Sequence, residues 1–307
     1  MKTRKHKIKE NLPDKIFLVI IYTFIFIMFM AVLYPILFVF SASFSDPFLV
    51  STGKVILLPK GFTLTGYNQL SKYTEIWTGY ANSVFYTVIG TILNLVVTLT
   101  AGYALSRRDL PGKNIIMGIF IFTMYFSGGL IPGYLNVRSF GLLNTRTIML
   151  IGGLMSVYNM IVCRTFFKSA IPWELHEASV IDGASDFTIF LHIIVPLSKP
   201  VIAVMALYYG VEHWNSYFGA MIYLRDRSKF PLQLFLREIL IQSRALADVM
   251  LDASADPEAI QALMAMQDAA NILKYCVIVV SSLPMLMLYP ALQKYFEKGV
   301  LIGSIKG

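Results

Sequence analysis

Six apolar runs, each about as long as a bilayer's hydrocarbon core is thick, constrain this chain more than any other feature. A helix needs roughly 20 apolar residues to cross ~30 Å of hydrocarbon. Candidates run from Ile16 to Phe40, Val84 to Leu105, Ile115 to Ile131, Ile148 to Phe166, Val201 to Ile222 and Ile272 to Leu292. The third is the shortest and is interrupted by Ser127-Gly128-Gly129. With 56% hydrophobic and 14% charged residues, 307 residues of this kind are too apolar for a soluble globule. The expected fold is therefore all-α: a polytopic membrane protein with six transmembrane helices, read as one domain over residues 1–307. The basic stretch Met1 to Lys9 leads into an apolar run too long for a signal-peptide core, so the first span is expected to remain as an anchor.

A formal net charge of +8 invites a nucleic-acid reading, yet the positive residues fall where membrane topology would put them. Lys2, Arg4, Lys5, Lys7, Lys9 and Lys15 precede the first span, and Arg107, Arg108 and Lys113 lie between the second and third. Arg164, Lys168 and Lys199 lie between the fourth and fifth, and Lys294, Lys298 and Lys306 follow the sixth. The positive-inside rule puts all of these in the cytoplasm, with both termini. The partner this charge implies is membrane lipid, not nucleic acid. Arg225, Arg227 and Lys229 break the rule by following the fifth span on the outer side; Asp226 and the acidic run Asp248, Asp252, Asp256 and Glu258 are the expected offset. Cys163 and Cys276, the two cysteines, sit near opposite ends of their spans and read as unbridged packing residues.

Two outer segments remain, about 41–82 and about 223–269. In the first, Leu70, Tyr73, Ile76 and Trp77 are spaced as a surface helix lying along the interface. The second carries two helix-like pieces, Leu232 to Ile241 and Pro257 to Met266. A loop this long is more often functional than filler; contact with a partner and simple capping of the bundle both fit it.

Between the fourth and fifth spans, over about 170–200, lies the most informative motif. Glu177-Ala178-Ser179-Val180-Ile181-Asp182-Gly183-Ala184 is followed by Ile193, Pro196 and Pro200. An exposed helix carrying a carboxylate and small side chains lets a partner's backbone come close, and Gly183 suits the left-handed stop at its end. Ser185 or Asp186 can cap a second short helix, which Pro196 and Pro200 then limit. The segment reads as helix, turn, helix at a membrane surface.

These residues resemble the cytoplasmic EAA loop of permease subunits from binding-protein-dependent ABC importers, with Ser179 in place of the second Ala. The likeness extends through Asn144-Thr145-Arg146, Arg164-Thr165-Phe166-Phe167, His213-Trp214-Asn215-Ser216-Tyr217, Pro231-Leu232-Gln233 and Lys298-Gly299-Val300 to Lys306-Gly307. It covers nearly the whole chain and is similar to the carbohydrate branch, in particular permeases for complex oligosaccharides. The resemblance implies a type I importer fold in which this loop docks in a cleft of a separate ATPase subunit. Glu177 would make the charged contact, Ala178 and Ser179 would pack closely, and Asp182 and Gly183, followed by Ala184, would form the turn. It further implies a second homologous permease, two ATPase subunits that use ATP and Mg, and an extracytoplasmic solute-binding protein. This chain itself would bind no cofactor.

The residues agree that the energy source lies elsewhere. A phosphate-cradling loop would need Gly-Lys-Ser/Thr at a helix start, and Gly53-Lys54-Val55 and Gly112-Lys113-Asn114 do not fit. Within the fifth span, Tyr208, Tyr209, Glu212, Asn215, Ser216, Gly219 and Tyr223 share one face at helical spacing. Glu212 stands about 18 Å along the helix from Pro200, at ~1.5 Å per residue, near mid-membrane. An ionisable group at that depth is costly and marks a pathway or a partner. A carboxylate and amide flanked by tyrosines suit a sugar, whose hydroxyls bond to the former and whose ring faces pack on the latter. Pairing of Glu212 with His213 or with a companion permease is the plainer alternative. Tyr158 and Asn159, with Asn136, are weaker candidates for the same path and equally fit interhelical hydrogen bonding. His176 is a second candidate contact for the ATPase. Three rivals stay open: an ion-coupled secondary transporter, marked by paired broken helices; a membrane enzyme, for which the spans offer no catalytic cluster; and an ABC permease for a non-sugar solute.

Overall fold

The computed structural model describes residues 11–252, 266–268, 270–288 and 290. Among them the chain is helical with no strand. The basic run at residues 1–9 with His6, nearly all of the helix expected from Pro257 to Met266, and Lys294, Lys298, Lys306 and the closing motif fall outside the described residues. The chain divides into two compact units, Met1–Lys72 with Ile241–Val279, and Tyr73–Leu240 with Val280–Gly307.

In the first unit, α1 (Leu12–Ser43) starts with Pro13 in its opening turn, where a missing N–H costs nothing. Its large apolar side chains are exposed on every side, the pattern of a helix solvated by lipid. A short α2 (Pro47–Ser51), capped by Asp46, and α3 (Thr65–Lys72) follow. Tyr67 Oη donates to Ser43 Oγ at 2.9 Å. A Cβ on Gly66 would lie 2.6 Å from Cys276 Sγ, so only glycine lets α3 approach there.

In the second unit, α4 (Thr74–Ser106) is the hub, packed along α8 and α12. It is followed by α5 (Lys113–Tyr125), α6 (Leu130–Ser139), α7 (Arg146–Ile151), α8 (Val157–Ala170), α9 (Trp173–Ile181) and α10 (Asp186–Ile189). A π turn at Phe190–Ile194 leads into α11 (Val195–Leu197), α12 (Lys199–Asn215) and α13 (Phe218–Tyr223). A 3₁₀ turn at Arg227–Lys229 precedes α14 (Leu232–Asp252), which belongs to this unit up to Leu240 and to the first unit from Ile241, and α15 (Met266–Leu288), which belongs to the first unit up to Val279, completes the described helices. The core gathers Leu99, Cys163, Phe167, Ile189, Ile194, Val201, Met205 and Tyr209. Both cysteines are free and buried, as their packing role requires.

Several spans are not the straight helices that apolar length alone suggested. Three helices, α1, α4 and α15, are long and apolar enough to cross a membrane, or five spans if two bent pairs each count as one. The expected six are not reached among the described residues. The third run bends by 113° between α5 and α6, at Phe126 to Gly129, where Gly129 takes a φ of 85°. The fourth breaks into α7 and α8 around Gly152-Gly153, where two successive glycines weaken a helix through the backbone freedom they lose. The fifth ends at Asn215, and Ser216-Tyr217 separate it from α13. At the fifth run's start, α10–α11 meets α12 at 82°. Pro200 can offer no N–H there, and the Ser198 N–H turns to the Val195 carbonyl at 3.1 Å while its Oγ donates to the Ile194 carbonyl at 2.6 Å. The surface helix expected over Leu70 to Trp77 is also divided: α3 ends at Lys72 and α4 begins at Thr74, with Tyr73 extended between them.

Candidate functional site

The α9 segment is built from local hydrogen bonds. After α8, Pro172 takes an extended ψ of 137° and starts α9. At the other end Gly183 has a φ of 79°; its N–H donates to the Val180 carbonyl and that of Ala184 to the Ser179 carbonyl, both at 3.0 Å. That paired closure satisfies carbonyls the helix would otherwise leave open. Ser185, not Asp186, caps the next helix by accepting from the Thr188 N–H at 3.2 Å.

Glu177, Ala178, Asp182 and Gly183 are exposed, and Ala184 is half-buried. Ser179 is buried, its Oγ donating to the Leu175 carbonyl at 2.6 Å, so it packs within this chain. The surface the segment presents also includes Val180, Ile181 and Phe187, of which Ile181 is 86% exposed. Sequence spacing missed these apolar knobs because in a membrane protein an apolar side chain reads first as span. Asp186 is tied to Arg107, whose guanidinium also grips Asp109, with Nε donating to Oδ1 at 2.9 Å. Those bonds from Arg107 pull the Asp109 carboxyl down to about 2. His176 stacks on Trp173 at 4.5 Å between ring centres.

The second region lies between the two breaks. A cavity of ≈190 Å³ is lined by Glu212, His213 and Ser216 on one side and by Gly152 and Gly153 on the other, with Gly219 and Tyr223 beyond. Glu212 is exposed and makes no hydrogen bond or ion pair among the described residues. The local pairing with His213 considered above does not form: His213 Nε2 lies 2.6 Å from Asn94 Oδ1. Asn94 Nδ2 in turn donates to the Gly153 carbonyl at 2.7 Å, so one fully buried amide ties α12 to the break in the fourth run. The hydroxyl of Tyr209 does the same a turn away, meeting Thr98 Oγ1 at 2.7 Å and accepting from the Ser156 N–H at 3.1 Å. Non-helical backbone at membrane depth survives where protein groups satisfy it or it lines a cavity, and both conditions hold here.

The structure thus brings Glu212 and Ser216 together with Gly219 and Tyr223, and leaves other candidates apart. Tyr208 and Tyr158 are exposed away from this cavity, Asn215 is exposed, and Asn159 is buried. Tyr209 is buried at 1% exposure and belongs to the core rather than to an open face. Trp214 packs edge-on against Tyr80 and donates Nε1–H to the Ser281 carbonyl at 2.9 Å. The Gly152-Gly153 wall was missed; a glycine pair inside an apolar run was the available signal.

Of the three cations that broke the charge rule, two are paired, one with the expected Asp226 and one with carboxylates elsewhere in the chain. Arg227 forks onto Glu75 at 2.7 and 2.9 Å and reaches Glu238 at 3.0 Å. Lys229 pairs with Asp226 at 3.3 Å. Asn144, at a positive φ of 57°, receives the Arg225 and Asp226 N–H groups at 3.1 and 3.0 Å.

No protein-family model matches the chain. It is 38% identical over 297 residues, 96% of its length and 100% of the relative's, to the polygalacturonan/rhamnogalacturonan transport system permease protein YtcP of Bacillus subtilis (strain 168). It is 39% identical over 276 residues, 89% of each chain, to protein LplC of the same organism. Among solved structures, a chain from the crystal structure of a bacterial ABC transporter involved in the import of the acidic polysaccharide alginate aligns with a TM-score of 0.83 and 34% identity. That alignment covers 94% of this chain and 100% of the other.

Proposed function

The chain belongs to the family of permease subunits of sugar ABC importers, and from that premise we propose that it moves an oligosaccharide across the cytoplasmic membrane by alternating access. The observation that carries this reading is the 38% identity over 96% of the chain with a permease named for polygalacturonan and rhamnogalacturonan. The alginate importer likeness points the same way, toward fragments of acidic polysaccharides. In this reading one membrane domain pairs with a homologous permease, receives cargo from an extracytoplasmic binding protein, and is driven by two ATPase subunits that hold ATP and Mg. The chain makes and breaks no covalent bond. Both termini face the cytoplasm, and so does α9.

Two regions then divide the work. Glu177, Ala178, Asp182 and Gly183 present the docking face of α9, with Val180 and Ile181 as apolar contacts. Glu212 and Ser216 line the cargo path, where an unpaired carboxylate accepts from sugar hydroxyls. The bends at α5–α6 and α11–α12 answer the description of broken helices given for ion-coupled carriers. Family membership nevertheless favours ATP as the energy source.

The test is uptake by proteoliposomes holding both permeases, the ATPase subunits and the binding protein, offered a panel of neutral and uronate oligosaccharides. Uptake that needs ATP and follows the panel member the binding protein retains supports the proposal. Uptake that runs on a proton or sodium gradient without ATP overturns it. Within that assay Glu212→Gln should slow uptake about tenfold, the scale of one lost charge-assisted hydrogen bond; an unchanged rate removes Glu212 from the path.

A further inference from the structure

Beside α9 lies a second cavity, of ≈320 Å³, enclosed by the ends of α4 and α8 and by the first turn of α9. Phe167 and Ile194 form the apolar part of its inner wall, Tyr103 brings a buried hydroxyl beside them, and its rim carries Arg107, Arg108 and Lys168. Arg107 is committed to Asp109 and Asp186. Arg108 lies 5.6 Å from the Trp173 ring centre, and neither it nor Lys168 makes an ion pair among the described residues. Glu174 is the one carboxylate in the lining, placed in the first turn of α9, where the helix dipole favours it. His176 adds a buried Nε2 with no hydrogen-bond partner, 3.7 Å from Asp186 and too far to bond to it.

Two uncommitted cations at the mouth and a buried ring nitrogen lacking a partner ask for an anion. The apolar wall behind them asks for a greasy body attached to it. The cavity sits where α4, a helix long enough to span the membrane, ends at Ser106, and in the topology proposed above that end lies at the headgroups of the cytoplasmic leaflet. Basic pockets between helices at that level suit anionic lipid headgroups. We propose that this cavity holds the phosphate headgroup of an anionic phospholipid of the cytoplasmic leaflet. The phosphate sits between Arg108 and Lys168, with acyl chain against Phe167 and Ile194. Bound there, the lipid braces α9 against the bundle, so that force applied to α9 is passed to α4 and α8 rather than lost in local movement. This rests on the cytoplasmic placement of α9 proposed above.

The assembled importer, with both permeases and the ATPase subunits, is placed in nanodiscs of phosphatidylcholine with or without phosphatidylglycerol, and retained lipid is counted by native mass spectrometry. The wild type should keep at least one more phosphatidylglycerol than the Arg108→Ala/Lys168→Ala double variant, and Arg108→Lys should keep it. Phosphatidylglycerol should raise the unfolding temperature of the wild type and leave that of the double variant unmoved. Equal retention by wild type and double variant overturns the proposal. So does full protection by inorganic phosphate in phosphatidylcholine alone, which would make the occupant a free anion. Loss of the ATPase subunits from the double variant in phosphatidylcholine, with lipid retention unchanged, would make the basic rim a protein contact and overturn it as well. Labelling of Arg108→Cys by a membrane-impermeant maleimide settles which premise fails. Reaction from outside intact cells sinks the orientation itself, whereas reaction only from inside, with equal lipid retention, sinks the lipid site alone.

Discussion

The α9 segment and the break between α7 and α8 are both interruptions of the helical bundle, yet they are held in opposite ways. Around α9 the bonds are short in sequence: Gly183 to Val180, Ala184 to Ser179, Thr188 to Ser185. Two long-range ties, Arg107 with Asp186 and Arg108 over the Trp173 ring, join the segment to the end of α4. Around Gly152 to Ser156 the ties are almost all remote, from Asn94, Tyr209 and through them Thr98 and His213. The first construction is a preformed knob that keeps its shape while what it touches changes. The second is a seam whose shape depends on three helices staying together. Damage to the seam should therefore appear as lost stability, and damage to the knob as lost coupling.

The largest effect on stability is expected at Asn94. Asn94→Leu keeps the volume but strands the Gly153 carbonyl and the His213 ring in the core, at a cost of about 2–4 kcal/mol. Thermal unfolding of the detergent-purified chain measures it, and an unchanged midpoint would erase the contrast between the regions. Gly183→Val comes next, since a β-branched residue at a φ of 79° costs about 1–2 kcal/mol although nothing stands within 4 Å of its Cβ. Its signature is disproportion: uptake should fall well beyond what that loss explains, while the permease still reaches the membrane. Uptake that tracks stability alone would make α9 an ordinary connector.

What the sequence revealed follows the same division. Gly183 as the stop and a serine or aspartate cap at 185–186 were legible because each acts within a few residues of itself. The resemblance over Glu177 to Ala184 was legible for the same reason. Ser179 was misplaced because spacing along a short helix does not say which side faces the bundle. The breaks at Gly152-Gly153 and Ser216-Tyr217 were hidden because apolar length counts toward a span whether or not the helix is continuous. The partners that make those breaks tolerable lie 59 residues away for Asn94 and Gly153, and 53 for Tyr209 and Ser156. Arg227 shows the same point: its neighbours in sequence suggested Asp226 and a distant acidic run, while its carboxylates are Glu75 and Glu238.

A smaller effect separates the two hydrogen-bonded bridges of the seam. Tyr209→Phe removes one hydroxyl while preserving its ring packing, and should cost about 1 kcal/mol, less than Asn94→Leu, because the Ser156 N–H is freed at a helix start where donors are more readily met. A cost equal to that of Asn94→Leu would mean that the two bridges act as one network, which the double variant would reveal by non-additivity.

The smallest effect concerns the tie that anchors the knob. Arg107 holds the Asp109 carboxyl at about 2, below an ordinary carboxylate near 4. A depressed value stabilises the folded state at pH above the ordinary one, and that contribution is lost as pH falls toward 2. Across pH 5 to 8 it is constant, and because Asp109 is half-exposed it amounts to less than ~1 kcal/mol. The gap in unfolding temperature between wild type and Asp109→Asn should accordingly stay level over that range and close only below about pH 4. A gap that widened or vanished near neutrality would mean that another titrating group governs the anchor.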